Sequence, residues 1–182
     1  MTDTILPLAL AMIASEIDNA RARVLALVAD TPQAQADWRP RVGEWSIAEV
    51  LDHLIRAEEA SARLIAGLAK RANTAPPYPD DIHDFPWAPP TSDERWNVMV
   101  PNASAEPSAG QPVGQLRQKL VDQGALTRGA LARLTTLDPR AATFAHVLIA
   151  EPMNLAQWAR FIAYHLRVHG RQIHDLQLAY RL

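Results

Sequence analysis

Two histidines four residues apart, His165 and His169, have the spacing in this sequence that is most readily linked to chemistry. In an α-helix such a pair lies on one face, one turn apart, and its two imidazoles can bind one metal ion. The alternative is that both are core residues, each bonded to a backbone or carboxylate partner. Because an unpaired polar group is unfavourable in a core, two neighbouring buried imidazoles need two such partners or a metal ion.

His53 is the third candidate ligand, and it lies in a different predicted helix. A helical projection places it about 60° to one side of that helix's apolar stripe. The small residues Ala57 and Ala60 follow it and leave room for a side chain or a ligand. A half-exposed histidine is the alternative. Ligand sites in helical bundles are built from facing helices, so His53, His165 and His169 would together form a complete set of three nitrogen ligands.

The remaining histidines and one carboxylate are weaker candidates. His83 lies in an acidic loop and is expected in solvent, although that loop could cover a site. His174 and Arg160 lie on the polar side of the last helix, where solvent exposure is expected. His146 precedes that helix, where packing or support of a ligand is expected. Glu58 lies near the centre of an apolar helical face. We expect it to pair with an arginine; the alternative is that it orients a metal-bound imidazole.

Four long amphipathic helices are predicted to position these residues. Their predicted ranges are about 5–28, 46–71, 113–137 and 154–180. Ser46 and Glu49 form a capping box at the start of the second helix, and Asn154 caps the fourth. Gly124 and Gly129 weaken the third helix and allow a bend there. The sequence shows no strong alternating pattern of strands and no internal repeats.

The first helix begins with an apolar run, ILPLALAMIA, in which Ile5, Leu8 and Met12 open the apolar stripe. The run is too short to span a bilayer. Asp3 precedes it without any Lys or Arg, whereas secretion signals open with positive charge. We therefore expect the run to be the buried start of a helix, and the protein to be cytoplasmic.

Residues 73–112, between the second and third helices, hold nine of the chain's 14 prolines, a density that no regular helix tolerates. Trp87 and Trp96 predict that this segment packs against the body of the protein, and a short helical turn is possible from Ser92. Four long helices with one long, proline-rich crossover predict an all-α four-helix bundle. The length of 182 residues fits one domain over 1–182.

The composition excludes several functions. Eighteen Lys and Arg against 20 Asp and Glu give a net charge of −2, so there is no basic surface typical of nucleic-acid binding. The sequence also lacks the basic cluster of a protein bound to a membrane surface. Because there are no cysteines, disulfides, thiolate metal sites and cysteine nucleophiles are excluded. A metal ion would need histidine and carboxylate ligands.

Three segments resemble the DinB superfamily, which includes the YfiT-like metal-dependent proteins. WRPRVGEWSIAEVLDHL, from Trp38, resembles the family's entry into the second helix. FAHVLIAEPMNLAQWARFIAYHLRVHGRQI resembles its last helix and the approach to it, and VPNASAEP resembles the lead into the third. Relatives commonly have a glycine in the middle of HVLIAEPMN. This chain has no glycine there, a difference that is expected to affect the rim of the pocket rather than the histidines.

The resemblance implies an up-down-down-up four-helix bundle in which His53, His165 and His169 bind a divalent metal ion. Nickel or zinc is the typical ion in the family, with iron or manganese in some members. Some members are transferases or isomerases that use a low-molecular-weight thiol, and many have no assigned reaction. Members often pair through helix faces, so a homodimer is also expected.

Three histidine ligands that leave one position open for water are typical of a catalytic rather than a structural metal site. We therefore expect a metal-dependent enzyme that acts on an unidentified small molecule, either as a hydrolase or as a thiol-dependent transferase. No residue stands out as a general base. Asp84 and Glu106 are expected to be accessible from their positions in the chain, but nothing else marks either of them as a base. The alternatives are a non-catalytic metal-binding or interaction module, and histidines that only pack.

Overall fold

The computed structural model describes residues 5–72, 76–89, 105–146 and 149–182. The elements in these ranges are α1 (Leu8–Leu27), α2 (Gln33–Asp37), α3 (Ile47–Arg71), α4 (Val113–Ala132), a 3-10 turn (Pro139–Ala141), β1 (Thr143–His146), β2 (Ile149–Asn154) and α5 (Leu155–Tyr180). The prediction of a mostly helical protein is confirmed. The short helix α2, in a segment predicted as a connection, was missed.

Capping boxes start the two helices that carry the candidate ligands. The N–H of Glu49 donates to the Ser46 hydroxyl (3.3 Å), and the N–H of Ser46 donates to the Glu49 carboxylate (2.9 Å). Asn154 and Gln157 form the same reciprocal pair at the start of α5. Both starts agree with the sequence prediction. Because a cap fixes the first turn, it also fixes which helical face each later residue occupies.

The first helix begins later than predicted. Pro7 is its N-cap, and the residue before a proline is disfavoured in helical geometry. Ile5 therefore lies before the helix and is 92% exposed, and Leu8 and Met12 are exposed on the first turns. The prediction that these three residues open a buried stripe is wrong. Burial on α1 begins instead at Ala9 and Leu10.

α4, the third of the four long helices, ends earlier than predicted but is not interrupted. It stops at Ala132, where the Thr135 hydroxyl donates to the Ala132 carbonyl (2.8 Å) and so competes with the helical pattern. It runs through both Gly124 and Gly129. A Cβ at Gly124 would lie 3.3 Å from the Arg21 guanidinium. Glycine at this position therefore leaves room for a buried arginine.

A small antiparallel hairpin, which the sequence pattern did not indicate, precedes α5. Thr143 pairs with Asn154, Phe144 with Met153, and the register shifts before His146 reaches Ile149. The strands are short and irregular, and they lack the apolar alternation by which a strand is recognised in a sequence.

The four long helices enclose one apolar core. α1 packs against α5 and α4, and α3 packs against α4 and α5. None of the helices in the described ranges combines the length and the apolar character that a membrane crossing requires.

The described part of the proline-rich segment is held against α5. The Trp87 ring lies 6.2 Å from Phe161 and 5.5 Å from Tyr164, which confirms the predicted packing of this tryptophan. Arg160, predicted on the solvated face, instead pairs with Glu16 of α1 (2.9 Å) and also donates to the Phe85 carbonyl of the segment (2.7 Å). Trp96 and the helical turn predicted from Ser92 lie outside the described residues.

Glu58 is buried among α1, α3 and α4, and its predicted pairing with an arginine is confirmed. Its Oε1 accepts hydrogen bonds from Arg21 and from the Thr127 hydroxyl (2.6 Å). Arg21 also pairs with Asp18 (2.7 Å). This network links three helices, and the buried Glu58 and the partly exposed Asp18 together compensate the charge of Arg21.

We predict that Glu58→Gln destabilises the fold by about 2 kcal/mol, because it removes the buried one of the two carboxylates that compensate the Arg21 guanidinium. The free energy of unfolding in urea measures this loss. The neighbouring Glu59 pairs with Arg63 at the surface, so Glu59→Gln should change stability by less than about 0.5 kcal/mol. Equal effects of the two substitutions would contradict the structural role of Glu58.

Candidate metal centre

The structure brings His53 of α3 together with His165 and His169 of α5. One ring nitrogen from each residue lies within 4.8 Å of the others. The three ring centroids are 4.5 to 4.9 Å apart. All three residues are buried, so the alternative of a half-exposed His53 is wrong. The i, i+4 pair of one helix and a single histidine of a facing helix therefore form one cluster.

Trp45 covers one side of this cluster. Its ring centroid lies 4.8 Å from that of His53 and 6.3 Å from that of His169. Trp45 immediately precedes the Ser46 cap of α3. The capping box that starts the helix therefore also fixes the backbone next to the indole, which shields the imidazoles from water.

Two of the histidines have a fixed proton on Nδ1. His53 Nδ1 is 2.7 Å from the Ala105 carbonyl oxygen, and His169 Nδ1 is 2.7 Å from Oε1 of Gln172. A backbone carbonyl only accepts hydrogen bonds, so Nδ1 of His53 must donate, and Nδ1 of His169 donates to the Gln172 amide in the orientation that presents its oxygen. In a neutral imidazole the other nitrogen then carries a lone pair. Nε2 of His53 and of His169 are therefore available as metal ligands.

The distance between two ligand atoms fits a shared divalent ion. Nε2 of His53 and Nε2 of His165 are 3.1 Å apart. Two imidazole nitrogens bound to one ion are about 3.3 Å apart in tetrahedral geometry and about 2.9 Å apart in octahedral geometry. The same distance also suits an N–H···N hydrogen bond, in which His165 would carry its proton on Nε2. The three imidazoles thus fit a metal ion. The tautomer of His165 distinguishes a shared ion, which needs a lone pair on its Nε2, from a hydrogen bond to His53, which needs a proton there.

Burial keeps the cluster neutral. Burial is the main reason why the pKa of His169 falls to about 3, and repulsion from His53 contributes to the same shift. Burial also lowers the pKa of His165 well below its ordinary value, with contributions from His169, His53 and His146. Burial likewise lowers the pKa of His53, against the opposing effect of the Ala105 carbonyl. At neutral pH all three imidazoles therefore present lone pairs rather than charges, as metal binding requires.

The other predicted candidates lie outside this cluster. His146 is half-buried on β1, with its ring 4.7 Å from Phe161 and 5.5 Å from Trp158, so the packing role expected for it is confirmed. His83 and His174 are exposed, as predicted. Asp84 pairs with Arg160 and Glu106 is exposed. Within the described residues, the group of possible ligands contains histidines alone.

The supporting partners of the cluster were not predicted from the sequence. Gln172 could have been found, because it follows His169 by three residues and neighbours at that spacing meet on a helix. The Ala105 carbonyl could not, since a backbone oxygen carries no side-chain signal. The sequence motif contains Trp45 but does not indicate that its ring covers two imidazoles.

Comparison with known proteins supports the suspected resemblance. A family model described as the DinB superfamily matches residues 16–173, a range that contains all three histidines. No curated protein and no solved structure matches the chain.

The neutral cluster predicts that the metal-free protein loses stability as the pH falls. In the unfolded chain His169 takes up a proton near its ordinary pKa of about 6.5, whereas in the folded chain its pKa is about 3. Because the unfolded state binds more protons, stability is complete above about pH 6.5 and declines from there towards pH 3. His169 alone should account for about 2 kcal/mol between pH 7.5 and pH 5.

Urea unfolding of chelator-treated protein at these two pH values measures the effect. The variant His169→Asn should show a smaller decrease than the wild type. His174→Asn replaces an exposed histidine of the same helix, and it should leave the decrease unchanged. An identical decrease in His169→Asn and wild type would contradict the assignment of the effect to the buried cluster.

Proposed function

The chain belongs to the DinB superfamily, and from this membership and the buried histidine cluster we propose that it is a divalent-metal-dependent enzyme. The ligands would be His53, His165 and His169. The observation that carries the proposal is the convergence of three neutral imidazole nitrogens within 4.8 Å. Hydrogen bonds to Ala105 and Gln172 already direct two of the lone pairs towards the cluster.

We also propose that the four long helices form the up-down-down-up bundle of the family. Two contacts along the helices support the same direction for α1 and α5, because the earlier residue of α1 meets the earlier residue of α5 and the later residue meets the later one. For α1 and α4 the order of the contacts is reversed, which supports opposite directions. The contacts are Arg160–Glu16 and Gln177–Leu27 for the first pair, and Arg117–Val28 and Arg128–Asp18 for the second.

Nickel or zinc is the proposed ion, because imidazole ligands suit these metals. Iron would fit the same ligands, whereas manganese favours carboxylates and fits them less well. A bound ion would supply Lewis-acid activation of a water molecule, a thiol or a carbonyl. The chain's own residues hold the ligands in place: the Ala105 carbonyl and Gln172 retain the Nδ1 protons, and Trp45 excludes water from one side.

The charge of the cluster favours an anionic group on a bound ion, either the thiolate of a transferase or the hydroxide of a hydrolase. Three neutral ligands would leave the 2+ charge of an ion uncompensated within the described residues, where no carboxylate joins the group. Such a site favours an anionic partner, and a thiol that binds a divalent ion loses its proton. Of the two, we propose a low-molecular-weight thiol with a small electrophile as the substrates, because some members of the family use such thiols. From the same resemblance we propose two copies of this chain as the functional unit.

The competing function is a non-catalytic metal-binding or interaction module of the same fold. The observation that favours it is the burial of all three histidines, because a metal shielded on all sides has no access for a substrate. Both functions require the metal, so turnover separates them.

The test is a thiol-transfer assay with zinc- or nickel-loaded protein, a panel of low-molecular-weight thiols and a fluorogenic electrophile. We expect turnover that requires both the metal and a thiol. His53→Ala should lower it by about 100-fold, equivalent to about 3 kcal/mol of transition-state stabilisation, while circular dichroism shows a folded protein. His83→Ala, at an exposed histidine outside the cluster, should keep the wild-type rate. Metal binding without turnover for any thiol would favour the non-catalytic module.

A further inference from the structure

Asp52 precedes the candidate ligand His53 and is 3% exposed. Its Oδ2 accepts hydrogen bonds from Arg56 Nε (2.7 Å) and from the backbone N–H of Ser108 (2.8 Å). Nη2 of Arg56 in turn donates to the Ser108 hydroxyl (2.8 Å). Asp52, Arg56 and Ser108 thus form a closed ring of three hydrogen bonds, which we call the clamp. It ties the segment 105–108 to α3.

The segment held by the clamp is the one that orients His53. Its Ala105 carbonyl accepts the Nδ1 proton of His53, three residues before the clamped Ser108. Between them, Pro107 fixes its own φ and restricts Glu106 to extended geometry. A short, stiff segment is therefore attached at both ends to two adjacent residues of α3. A displacement at Ser108 would also displace the carbonyl at Ala105.

The burial of Asp52 distinguishes the clamp from an ordinary helix ion pair. Glu59 and Arg63 have the same i, i+4 spacing on α3, but their side chains are 37% and 79% exposed. The Asp52 side chain is 5% exposed. A carboxylate removed from water in this way needs charge-assisted hydrogen bonds, and here one of them comes from the backbone of the segment itself.

We propose that Asp52 is a positioning residue of the metal centre: through the clamp it holds the Ala105 carbonyl against His53, so that Nδ1 keeps the proton and Nε2 stays free to bind the ion. The inference rests on the proposed function, because this tautomer matters for function only if Nε2 binds a metal. The tautomer itself can be measured without any metal, so a failure of the positioning role can be distinguished from a failure of the proposed function.

The variants are Asp52→Ala, which removes the acceptor of the clamp, and Ser108→Pro, which removes the backbone donor and leaves α3 unchanged. Glu59→Gln, at the exposed pair, is the matched control. If Asp52→Ala does not fold, Ser108→Pro decides the test, since Ser108 lies on an exposed segment outside the helices.

The first measurement is the tautomer of His53 in chelator-treated protein, from the ¹⁵N chemical shifts of its imidazole. We expect the Nδ1–H form in the wild type and in Glu59→Gln, and a mixture with the Nε2–H form in both clamp variants. The second is the zinc Kd, by competition with a chromophoric chelator. The clamp variants should bind zinc about 10-fold more weakly, whereas Glu59→Gln should match the wild type.

An unchanged His53 tautomer in the folded clamp variants would overturn the proposal, whatever the zinc affinity. A changed tautomer with unchanged zinc affinity would overturn it as well, because Asp52 would then orient His53 without effect on the metal. If the wild type binds neither zinc nor nickel, the proposed function fails and the positioning role fails with it. The tautomer measurement would in that case still show whether the clamp orients His53.

Discussion

The burial of three imidazoles within 4.8 Å of one another is the constraint on which the rest of the structure depends. Protonated imidazoles at this distance would repel each other in a medium that screens charge poorly, so the cluster exists only in neutral form. Each neutral ring has one N–H and one lone pair that need partners. Hydrogen bonds to Ala105 and Gln172 satisfy two N–H groups, and a shared divalent ion would satisfy the lone pairs.

α3 organises the polar part of the core. Three of the buried polar residues on this helix contact three different neighbours: Asp52 binds the segment 105–108, His53 meets the pair on α5, and Glu58 pairs with Arg21 of α1. The capping box at Ser46 sets the phase of the helix, and therefore the direction in which each of these side chains points. The histidine cluster is thus tied to the helix packing and to the crossover between α3 and α4.

The sequence predicted the features that depend on local chemistry. The starts of α3 and α5 follow from their capping residues, and the i, i+4 spacing placed His165 and His169 on one face of α5. A buried Glu58 indicated an arginine partner, although Arg21 itself was not identified. Features that depend on tertiary contacts were missed. Arg160, expected on the solvent face of α5, pairs with Glu16 of α1. The hairpin before α5 is held by backbone pairing. The orientation of His53 depends on the Ala105 carbonyl, far along the chain.

The most direct test of the central claim is the metal content of untagged protein, purified without a chelating resin and measured by mass-spectrometric elemental analysis. We expect about one divalent ion per chain in the wild type and in His174→Ala, and none in His53→Ala or His165→Ala. If the wild-type chain retains no ion as purified, and none after incubation with nickel or zinc, the three histidines only pack against one another, and the account of this protein as a metal-dependent enzyme is contradicted.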